Sequence, residues 1–407
     1  MPLVIFNNGS TFDKAHAHSP LAHLGTRDRD DPTNRFDFPG KASGLLKTAF
    51  ELQQHVTELA QGPRAEPFLK PITIVGSTRF ANEQELVSVH PQKYLDSLKA
   101  VAAQSRELVE KGEDPFIQFG IEADVTPGTY DAARHSVGTA FDAIDIALQS
   151  EDTTAFALVW PPGHHAEPSQ AMGFCYLSTA ALAALYARDH AIKLSPGSYN
   201  RVLIIDIDHH RGNGTAKAIA CADGLSLIDV TYISPYDHVN ERYLDDAREY
   251  PYTHTDTSLG ISQHPVCQAP NVFSLEFEGL QNVTTILDAF IARALPFART
   301  VNPQIILWSV GLDAAKGDPL GGLGLLPSAY YTLIKGMRLA FPNARHCGVL
   351  EGGYEQRLSG RCLKPSLMAL HDDRDQARSR LFKRYRHAFM PPTYDGDTRS
   401  VSTQKRF

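Results

Sequence analysis

The feature that most constrains the fold is a regular alternation of short apolar runs with longer amphipathic stretches. Two of these stretches, residues 129–148 and 283–298, have apolar residues at three- and four-residue spacing, which is typical of helices. Strands that alternate with helices pair in parallel through right-handed crossovers. The sequence therefore predicts an α/β fold, a single doubly wound domain with a mostly parallel eight-stranded sheet and helices on both faces. The candidate strands are residues 3–6, 72–75, 155–160, 202–207, 225–230, 272–277, 305–310 and 347–350.

The length and composition of the chain are those of an ordinary soluble protein with a large core. It has 407 residues, of which 43% are hydrophobic and 21% are charged. No internal repeat and no long Gly/Ser-rich or Pro-rich linker divides it. We therefore expect one domain over residues 1–371, followed by a charged C-terminal extension over residues 372–407 that packs on the same domain.

Charge, hydropathy and cysteine content indicate the partners and the compartment to expect. A net charge of -7 argues against a nucleic-acid partner and against binding to an anionic membrane surface. No stretch of about 18 apolar residues is present, and the N-terminus lacks the pattern of a signal peptide. Five cysteines without a CxxC pair indicate reduced thiols. We expect a cytoplasmic protein without a membrane segment.

The most informative single segment is RVLIIDIDHHRGNGT at residues 201–215. Its apolar run has the character of a buried parallel strand and stops on Asp206, Asp208, His209 and His210. Open α/β sheets bind ligands outside the carboxyl ends of such strands. Acidic and imidazole groups there suit a metal, although Asp also forms turns with nearby backbone. A phosphate-binding loop is disfavoured because the GxxxxGK[ST] pattern is absent.

Three other segments carry residues with catalytic potential. They are WPPGHHAEP at 160–168, SVGLDAAKGDPLGG at 309–322 and LEGGY at 350–354. Taken singly, a tandem His pair behind Pro-Pro-Gly is more often a loop than a catalytic dyad, and Gly-Gly-Tyr is a weak signal. Jointly the segments are far more specific, because they supply metal ligands, proton-transfer groups and a phenol together.

One imidazole and two carboxylates form a ligand set suited to Zn²⁺, with positions left open for water and substrate. In an extended strand, side chains two apart face the same way, so Asp208 and His210 would converge while His209 points elsewhere. Asp313 would supply the third ligand from a neighbouring strand end. The sequence therefore predicts one zinc ion per chain.

The remaining residues match the needs of amide hydrolysis. This reaction requires a base for the attacking water, an acid for the leaving amine and a donor for the oxyanion. His164 and His165 can divide the first two tasks if Asp206 or Asn213 orients each ring. The phenol of Tyr354, on a glycine-rich turn, can reach the developing oxyanion. A metal with an open position would supply the nucleophilic water.

Together these motifs resemble the zinc-dependent deacetylase family of the arginase/deacetylase fold, which includes class II histone deacetylases and acetylpolyamine amidohydrolases. The resemblance runs from about Pro127 to Tyr354 and rests on PPGHHAEP, DxDxHxGNGT, GLDAAKGDPLGG and LEGGY. It implies that residues 1–371 form a deacetylase catalytic domain. It also implies that Asp208, His210 and Asp313 bind zinc. It implies that His165 is the general base and acid, that His164 assists electrostatically and that Tyr354 polarises the scissile carbonyl. Gly173 and Phe174 would line the acyl-lysine or acyl-amine tunnel.

The resemblance further implies a structural potassium ion. Its ligands would be Asp206 together with the backbone carbonyls of Asp208 and His210. The hydroxyl ligand would be Thr231 or Ser234, and the sequence does not decide between them. An ordinary strand threonine is an equally good interpretation of Thr231, because threonine favours strands.

The chain departs from the family pattern at two places. Arg211 stands where many relatives carry a second histidine, and it could hold a carboxylate or face solvent. The second aromatic wall of the tunnel has no clear match, and Tyr236 and Tyr243 are its candidates. Tunnel width and acyl preference are therefore open.

Two further segments bear on the tunnel mouth. Residues 36–42 resemble the Pro-containing start of a helix in acetylpolyamine hydrolases and some histone deacetylase relatives. Glu122 and Asp124 would lie near the mouth by the same resemblance. These carboxylates could hold a polyamine or a lysine-rich peptide, or they could be solvated loop charges.

The leading hypothesis is a zinc-dependent amidohydrolase that removes acetyl or another acyl group from an acyl-lysine protein or peptide or from an acylpolyamine. One alternative is an arginase-like ureohydrolase, which needs a second metal held by extra carboxylates. Gly212 and Ala315 occupy the positions of those carboxylates, so a single metal is favoured. Another alternative is a catalytically inactive module that binds acyl-amines. Homo-oligomer formation is left open.

Overall fold

The eight candidate strands form one sheet in which every neighbouring pair is parallel. The computed structural model describes residues 2–8, 38–61, 70–194, 201–220, 222–233, 236–237, 242–243, 248–249, 253–256, 261–262, 269–278, 280–371 and 379–390. The strands are β1 (Leu3–Asn7), β2 (Ile72–Gly76), β3 (Thr154–Leu158), β4 (Val202–Asp206), β5 (Leu225–Ile233), β6 (Val272–Glu278), β7 (Ile305–Val310) and β8 (Arg345–Leu350). Their order across the sheet is β6-β5-β4-β7-β8-β3-β1-β2, which confirms the predicted α/β fold.

The four central strands, β4, β7, β8 and β3, are buried at every residue. Burial on both faces explains why their sequences are nearly continuous apolar runs. The predicted strand ends differ from the observed ones by at most three residues. For example, β3 ends at Leu158 rather than at 160, because the chain then enters the Trp-Pro-Pro segment, whose prolines have no N–H for a sheet.

Helices connect the strands. They are α1 (Phe38–Gln61), α2 (Glu83–Leu86), α3 (Gln92–Glu110), α4 (Thr129–Gln149), α5 (Thr179–Leu194), α6 (Asn213–Ile219), α7 (Val283–Ala289), α8 (Leu295–Val301), α9 (Pro327–Ala340), α10 (Gln356–His371) and α11 (Arg380–Phe389). The predicted helix at 129–148 is confirmed as α4. The predicted helix at 283–298 is interrupted by a π-helical turn, Phe290–Ala294, between α7 and α8. Pro296, which donates no backbone hydrogen bond, lies in the first turn of α8.

Two apolar layers cover the two faces of the sheet. Residues of β7 alternate between them: Ile306 and Trp308 pack in one layer, and Ile305 and Leu307 pack in the other. The first layer includes buried residues of α1 and α7 to α11, and the second includes those of α3 to α6. Helices therefore lie on both faces, as predicted.

Several predicted features fall wholly or partly outside the described residues. The backbones of Tyr236–Asp237 and Arg242–Tyr243 form a short antiparallel pair, but the side chains proposed for the second tunnel wall are not described. Ser234, Cys221, Cys267 and the start of the 36–42 segment are also outside, and α1 begins at Phe38. The cysteines of the described part, Cys175, Cys347 and Cys362, are buried free thiols. Among the helices described, none is long and apolar enough to span a membrane.

The C-terminal helix α11 packs on α9. The Phe382 ring meets the Tyr331 ring edge-on, with centroids 5.7 Å apart. The Phe389 ring is fully buried, and a Cβ atom at Gly336 would lie only 2.6 Å from it. This close approach requires glycine on α9. Residues 380–389 thus share the apolar layer of the sheet, although the domain boundary at 371 stays a prediction.

We expect Phe389→Ala to lower the free energy of unfolding by about 3–5 kcal/mol, because it leaves a cavity where the Phe389 ring packs against Gly336. Urea unfolding followed by circular dichroism measures this. Lys383→Ala, at an exposed position of the same helix, is the matched control and should change stability little. Equal effects of the two substitutions would show that α11 does not pack as described.

Candidate active site

The segments with catalytic potential all meet at the carboxyl edge of the central strands. Asp206 ends β4, Asp313 follows β7, Glu351 follows β8 and His164 follows β3. Because β4, β7, β8 and β3 are consecutive in the sheet, their carboxyl ends are neighbours. This edge is where parallel sheets bind their ligands.

Asp208, His210 and Asp313 form a group whose ligand atoms all lie within 4.8 Å of one another. The Nδ1 atom of His210 is 3.3 Å from Asp208 Oδ1 and 3.2 Å from Asp313 Oδ2. Ligands at about 2.0–2.1 Å from a tetrahedral zinc ion are themselves about 3.3 Å apart. The spacing and the donor set therefore fit zinc.

The carboxylate of Asp313 is also suited to a cation. Its Oδ2 atom is buried, and among the described residues no donor meets hydrogen-bond geometry with it, although His210 Nδ1 lies 3.2 Å away. Burial and the neighbouring Asp208 carboxylate raise the pKa of Asp313 to about 7. A positive ion beside this oxygen would offset both effects.

Two glycines make room for the carboxylates of this group. A Cβ atom at Gly311 would lie 2.1 Å from Asp208 Oδ2, and one at Gly352 would lie 2.3 Å from Asp313 Oδ2. The Gly352 N–H instead donates to Asp208 Oδ2 at 2.9 Å. These contacts explain why the GLD and EGG motifs need glycine at these positions.

The segment that carries Asp208 and His210 is a loop, so the expected strand alternation was wrong. The strand β4 ends at Asp206, whose Oδ1 accepts the Asp208 N–H at 3.0 Å. Asp208 Oδ1 accepts the His210 N–H at 2.9 Å, and these local bonds replace sheet pairing. The two side chains still converge. The backbone N–H of His209 donates to Asp313 Oδ1 at 3.0 Å.

The two adjacent histidines each have a partner at Nδ1. His164 Nδ1 lies 3.2 Å from Asp206 Oδ2, and His165 Nδ1 lies 2.8 Å from Asn213 Oδ1. The two rings are 4.0 Å apart between centroids, and the His165 ring is 5.8 Å from that of His210. The structure thus assigns Asp206 to His164 and Asn213 to His165, a pairing that the sequence left open, and places both beside the Asp208–His210–Asp313 group.

The neighbours of the two histidines drive their pKa values apart. Burial opposes the charged form of His164, but the carboxylates of Asp208 and Asp206 outweigh it and raise the His164 pKa well above its ordinary value. Burial lowers the pKa of His165 well below its ordinary value, and repulsion from His164 and His210 adds to this. These neighbours therefore favour the charged form of His164 and the neutral form of His165.

A second group that could hold a metal contains His164, Cys175 and Glu351. Its carboxylate is already satisfied: Glu351 Oε2 accepts the N–H groups of Gly163 and His164 at 2.7 and 3.2 Å, and Oε1 accepts the Ser309 hydroxyl at 3.0 Å. Burial raises the pKa of the Cys175 thiol well above its usual range, so it remains protonated. We interpret this group as the support of the histidine loop.

Asp318 supports the segment that carries Tyr354. Its Oδ2 accepts the N–H groups of Tyr354 and Glu355 at 2.7 and 3.2 Å, and its Oδ1 accepts that of Leu320 at 3.0 Å. This carboxylate joins the loop after β7 to the loop after β8. The roles of Asp318 and Glu351 were not predicted from the motifs, although acidic residues beside glycine and proline in two of the motifs were a signal for both.

The Phe174 ring faces Tyr354 edge-on, with centroids 6.1 Å apart. Gly173 and Phe174 have φ values of +53° and +65°, a conformation that is costly for phenylalanine. Burial, reinforced by the carboxylates of Asp313 and Asp208, raises the pKa of Tyr354 well above its ordinary value. The phenol is therefore neutral and able to donate.

The two proposed rim carboxylates occupy different surroundings. Glu122 is exposed, and its backbone carbonyl accepts the Phe174 N–H at 3.0 Å. Asp124 is half-buried in the short strand Ala123–Val125, and its carbonyl accepts the Tyr176 hydroxyl. The structure thus brings the backbone of Glu122 beside Phe174.

Arg211 holds carboxylates rather than facing solvent. Its guanidinium donates to Glu276 Oε1 at 2.9 Å and to Ser274 Oγ at 2.7 Å, and its Nε atom is 3.8 Å from Asp229 Oδ2. Asp229 pairs in register with Asp206 on the next strand. Burial and Asp206 raise the pKa of Asp229 to about 8. These acidic partners come from β5 and β6 and were not predicted from the sequence.

Thr231, on β5, lies beside the metal-site loop. Its hydroxyl donates to the backbone carbonyl of His209 at 3.3 Å. The loop and the hydroxyl proposed for a potassium site are therefore adjacent. The alternative ligand, Ser234, lies outside the described residues.

The family model described as a histone deacetylase domain matches residues 51–370. Among similar proteins, histone deacetylase HDA1 of Saccharomyces cerevisiae is 30% identical over 282 residues, which are 68% of this chain and 36% of that protein. Histone deacetylase 6 of Caenorhabditis elegans is 32% identical over 281 residues, 68% of this chain and 27% of that protein. Polyamine deacetylase HDAC10 of Danio rerio is 28% identical over 299 residues, 72% of this chain and 40% of that protein.

The matched regions thus span 27% to 40% of the length of these relatives. The solved crystal structure of the HDA15 HD domain is similar with a TM-score of 0.68 and 21% sequence identity, and the alignment covers 91% of this chain and 90% of that one. This likeness shows that the fold is shared.

We expect His210→Ala to weaken zinc binding by more than about 100-fold, because losing a ligand costs more than losing a group that only orients one. Equilibrium dialysis against zinc, followed by metal analysis, measures this. His209→Gln is the matched control at the adjacent position and should bind zinc as the unmodified chain does. Unchanged zinc binding by His210→Ala would place the metal elsewhere.

Proposed function

Because the chain belongs to the histone deacetylase family, we propose that it is a zinc-dependent amidohydrolase that removes acetyl or another acyl group from a lysine side chain or a polyamine. The convergence of Asp208, His210 and Asp313 beside two differently charged histidines carries this proposal. Residues 1–371 would form the catalytic domain, with residues 372–407 as an extension packed on it.

The proposed metal ligands are Asp208 Oδ1 or Oδ2, His210 Nδ1 and an Asp313 carboxylate oxygen. Zinc bound there would polarise the scissile carbonyl and make water more nucleophilic. We further propose a structural potassium ion at Asp206 and the backbone carbonyls of Asp208 and His210, with Thr231 as the hydroxyl ligand. Its proximity to the His209 carbonyl supports Thr231.

His165 is proposed as the general base and then the general acid. Its Nδ1 atom faces an acceptor, Asn213 Oδ1, so Nδ1 carries the proton and Nε2 is left to accept one. The lowered pKa of His165 keeps the ring neutral before reaction. Nε2 would take a proton from the attacking water and give it to the leaving amine nitrogen.

His164 is proposed to act electrostatically. Asp206 and Asp208 hold its ring in the cationic form, so it would not accept the proton of the attacking water. A fixed positive charge 4.0 Å from the His165 ring would stabilise negative charge that develops on the substrate. The two adjacent histidines thus have distinct tasks.

Two alternatives are disfavoured by specific observations. A ureohydrolase needs a second metal, but glycine and alanine stand at Gly212 and Ala315, and a Cβ at Gly212 would lie 2.5 Å from Asp206 Oδ2. In the part of the chain that the structure describes, the other group suited to a metal has its carboxylate saturated by hydrogen bonds. An inactive binding module would have no need for two adjacent histidines that are each oriented by a partner at Nδ1.

Two substrate classes, acyl-lysine and acylpolyamine, fit the proposed site. The relatives include proteins named as histone deacetylases and others named as polyamine deacetylases. An exposed Glu122 beside Phe174 favours a cationic substrate of either kind. Zinc-loaded protein should release acetate from acetyl-lysine peptides, acetylputrescine or acetylspermidine, and the ratio of kcat/KM values would assign the class. No release from any of these would refute the proposal.

We expect Tyr354→Phe to lower kcat by about 100- to 1000-fold while zinc content stays unchanged, because the variant loses the donor to the oxyanion. Steady-state kinetics and metal analysis on the same samples measure this. Tyr186→Phe is a matched control, because the Tyr186 hydroxyl donates to Asp145 on helix α4 rather than to the proposed site. Full activity of Tyr354→Phe would contradict the oxyanion role.

A further inference from the structure

Glu167 bridges two side chains of α6 behind the histidine pair. Its Oε1 accepts a hydrogen bond from Asn213 Nδ2 at 3.1 Å, and its Oε2 accepts one from Lys217 Nζ at 2.6 Å. Asn213 and Lys217 are four residues apart, so they share one face of the helix. Reciprocal backbone bonds between Glu167 and Gln170 fix the turn that carries the carboxylate.

The orientation of the Asn213 amide decides which nitrogen of His165 carries the proton. With Oδ1 toward the ring, the amide accepts from Nδ1, and the lone pair of the neutral ring lies on Nε2. After a 180° turn of the amide, Nδ2 would donate to Nδ1, and the proton of the neutral ring would move to Nε2. In that tautomer the ring could not accept a proton from water.

The surroundings of Nδ2 select the first orientation. A carboxylate accepts hydrogen bonds and does not donate them, so Glu167 favours the amide N–H over the amide oxygen. Met172 Sδ, at 3.1 Å from Nδ2, is a further weak acceptor. Lys217 in turn holds the Glu167 carboxylate in place. The contacts of Nδ2 with Glu167 and Met172 therefore disfavour the orientation in which Nδ2 faces His165.

We propose that Glu167 is a positioning residue that fixes the Asn213 amide and, through it, the productive tautomer of His165. The inference deepens the proposed function, since it rests on His165 as the base. The partly exposed ion pair of Glu167 with Lys217 thereby supports the orientation of His165, two residues before Glu167 in the chain.

Glu167→Ala tests the proposal by kinetics on an acetyl-lysine peptide. We expect kcat to fall about tenfold with little change in KM, because the bias from a charge-assisted hydrogen bond is lost. In an Asn213→Asp background, no amide is present to turn. There the same Glu167→Ala change should leave kcat equal or raise it, since it removes a neighbouring negative charge.

A purely structural role of Glu167 would instead lower kcat by the same factor in both backgrounds, which would overturn the proposal. Thermal unfolding of each variant separates misfolding from loss of orientation. Glu167→Gln, which keeps an acceptor oxygen, should recover part of the lost kcat.

A second measurement does not depend on turnover. The ¹⁵N chemical shifts of the His165 ring distinguish its two neutral tautomers, so they report the position of the proton directly. We expect the Nδ1–H form in the unmodified protein and a larger share of the Nε2–H form in Glu167→Ala. An unchanged tautomer would overturn the proposal. A tautomer change without hydrolysis by any variant would instead refute the proposed function and leave the positioning intact.

Discussion

The burial of several carboxylates at one edge of a parallel sheet is the constraint on which this structure depends. Asp206, Asp208, Asp313 and Glu351 are essentially inaccessible to water, and each would be costly to bury without partners. Backbone N–H groups of the turns satisfy part of this need, as at Glu351 and Asp208. The N–H groups do not neutralise all of the negative charge of these carboxylates. A metal ion and a cationic histidine at this edge would neutralise the rest.

The same carboxylates that stabilise the turns also set the properties of the histidine pair. Asp206 and Asp208 raise the pKa of His164, and the charge that this favours on His164 helps to lower the pKa of His165. A single buried cluster therefore separates the pKa values of two rings 4.0 Å apart. The orientation of each ring comes from its Nδ1 partner, and for His165 the partner is an amide that itself needs orienting.

The sequence predicted the sheet, because local apolar periodicity carries that information. Short motifs named Asp208, His210 and Asp313 as one candidate group and Asp206 and Asn213 as possible partners of the histidine pair. The sequence did not predict the role of Asp318, whose three N–H donors come from two loops joined only in the folded chain. The acidic partners of Arg211 were missed for the same reason, since strand register brings them together. The loop after Asp206 was mistaken for a strand because Ile207 continues the apolar pattern, while aspartate side chains capture the backbone.

The most direct test of this account is a zinc titration of metal-stripped protein in which acetate release from an acetylated amine is followed at each step. If the group at Asp208, His210 and Asp313 is the catalytic metal site, activity should be absent at the start and rise linearly. It should reach its plateau at one zinc ion per chain. Acetate release without metal, or a plateau that requires two ions per chain, would contradict the account.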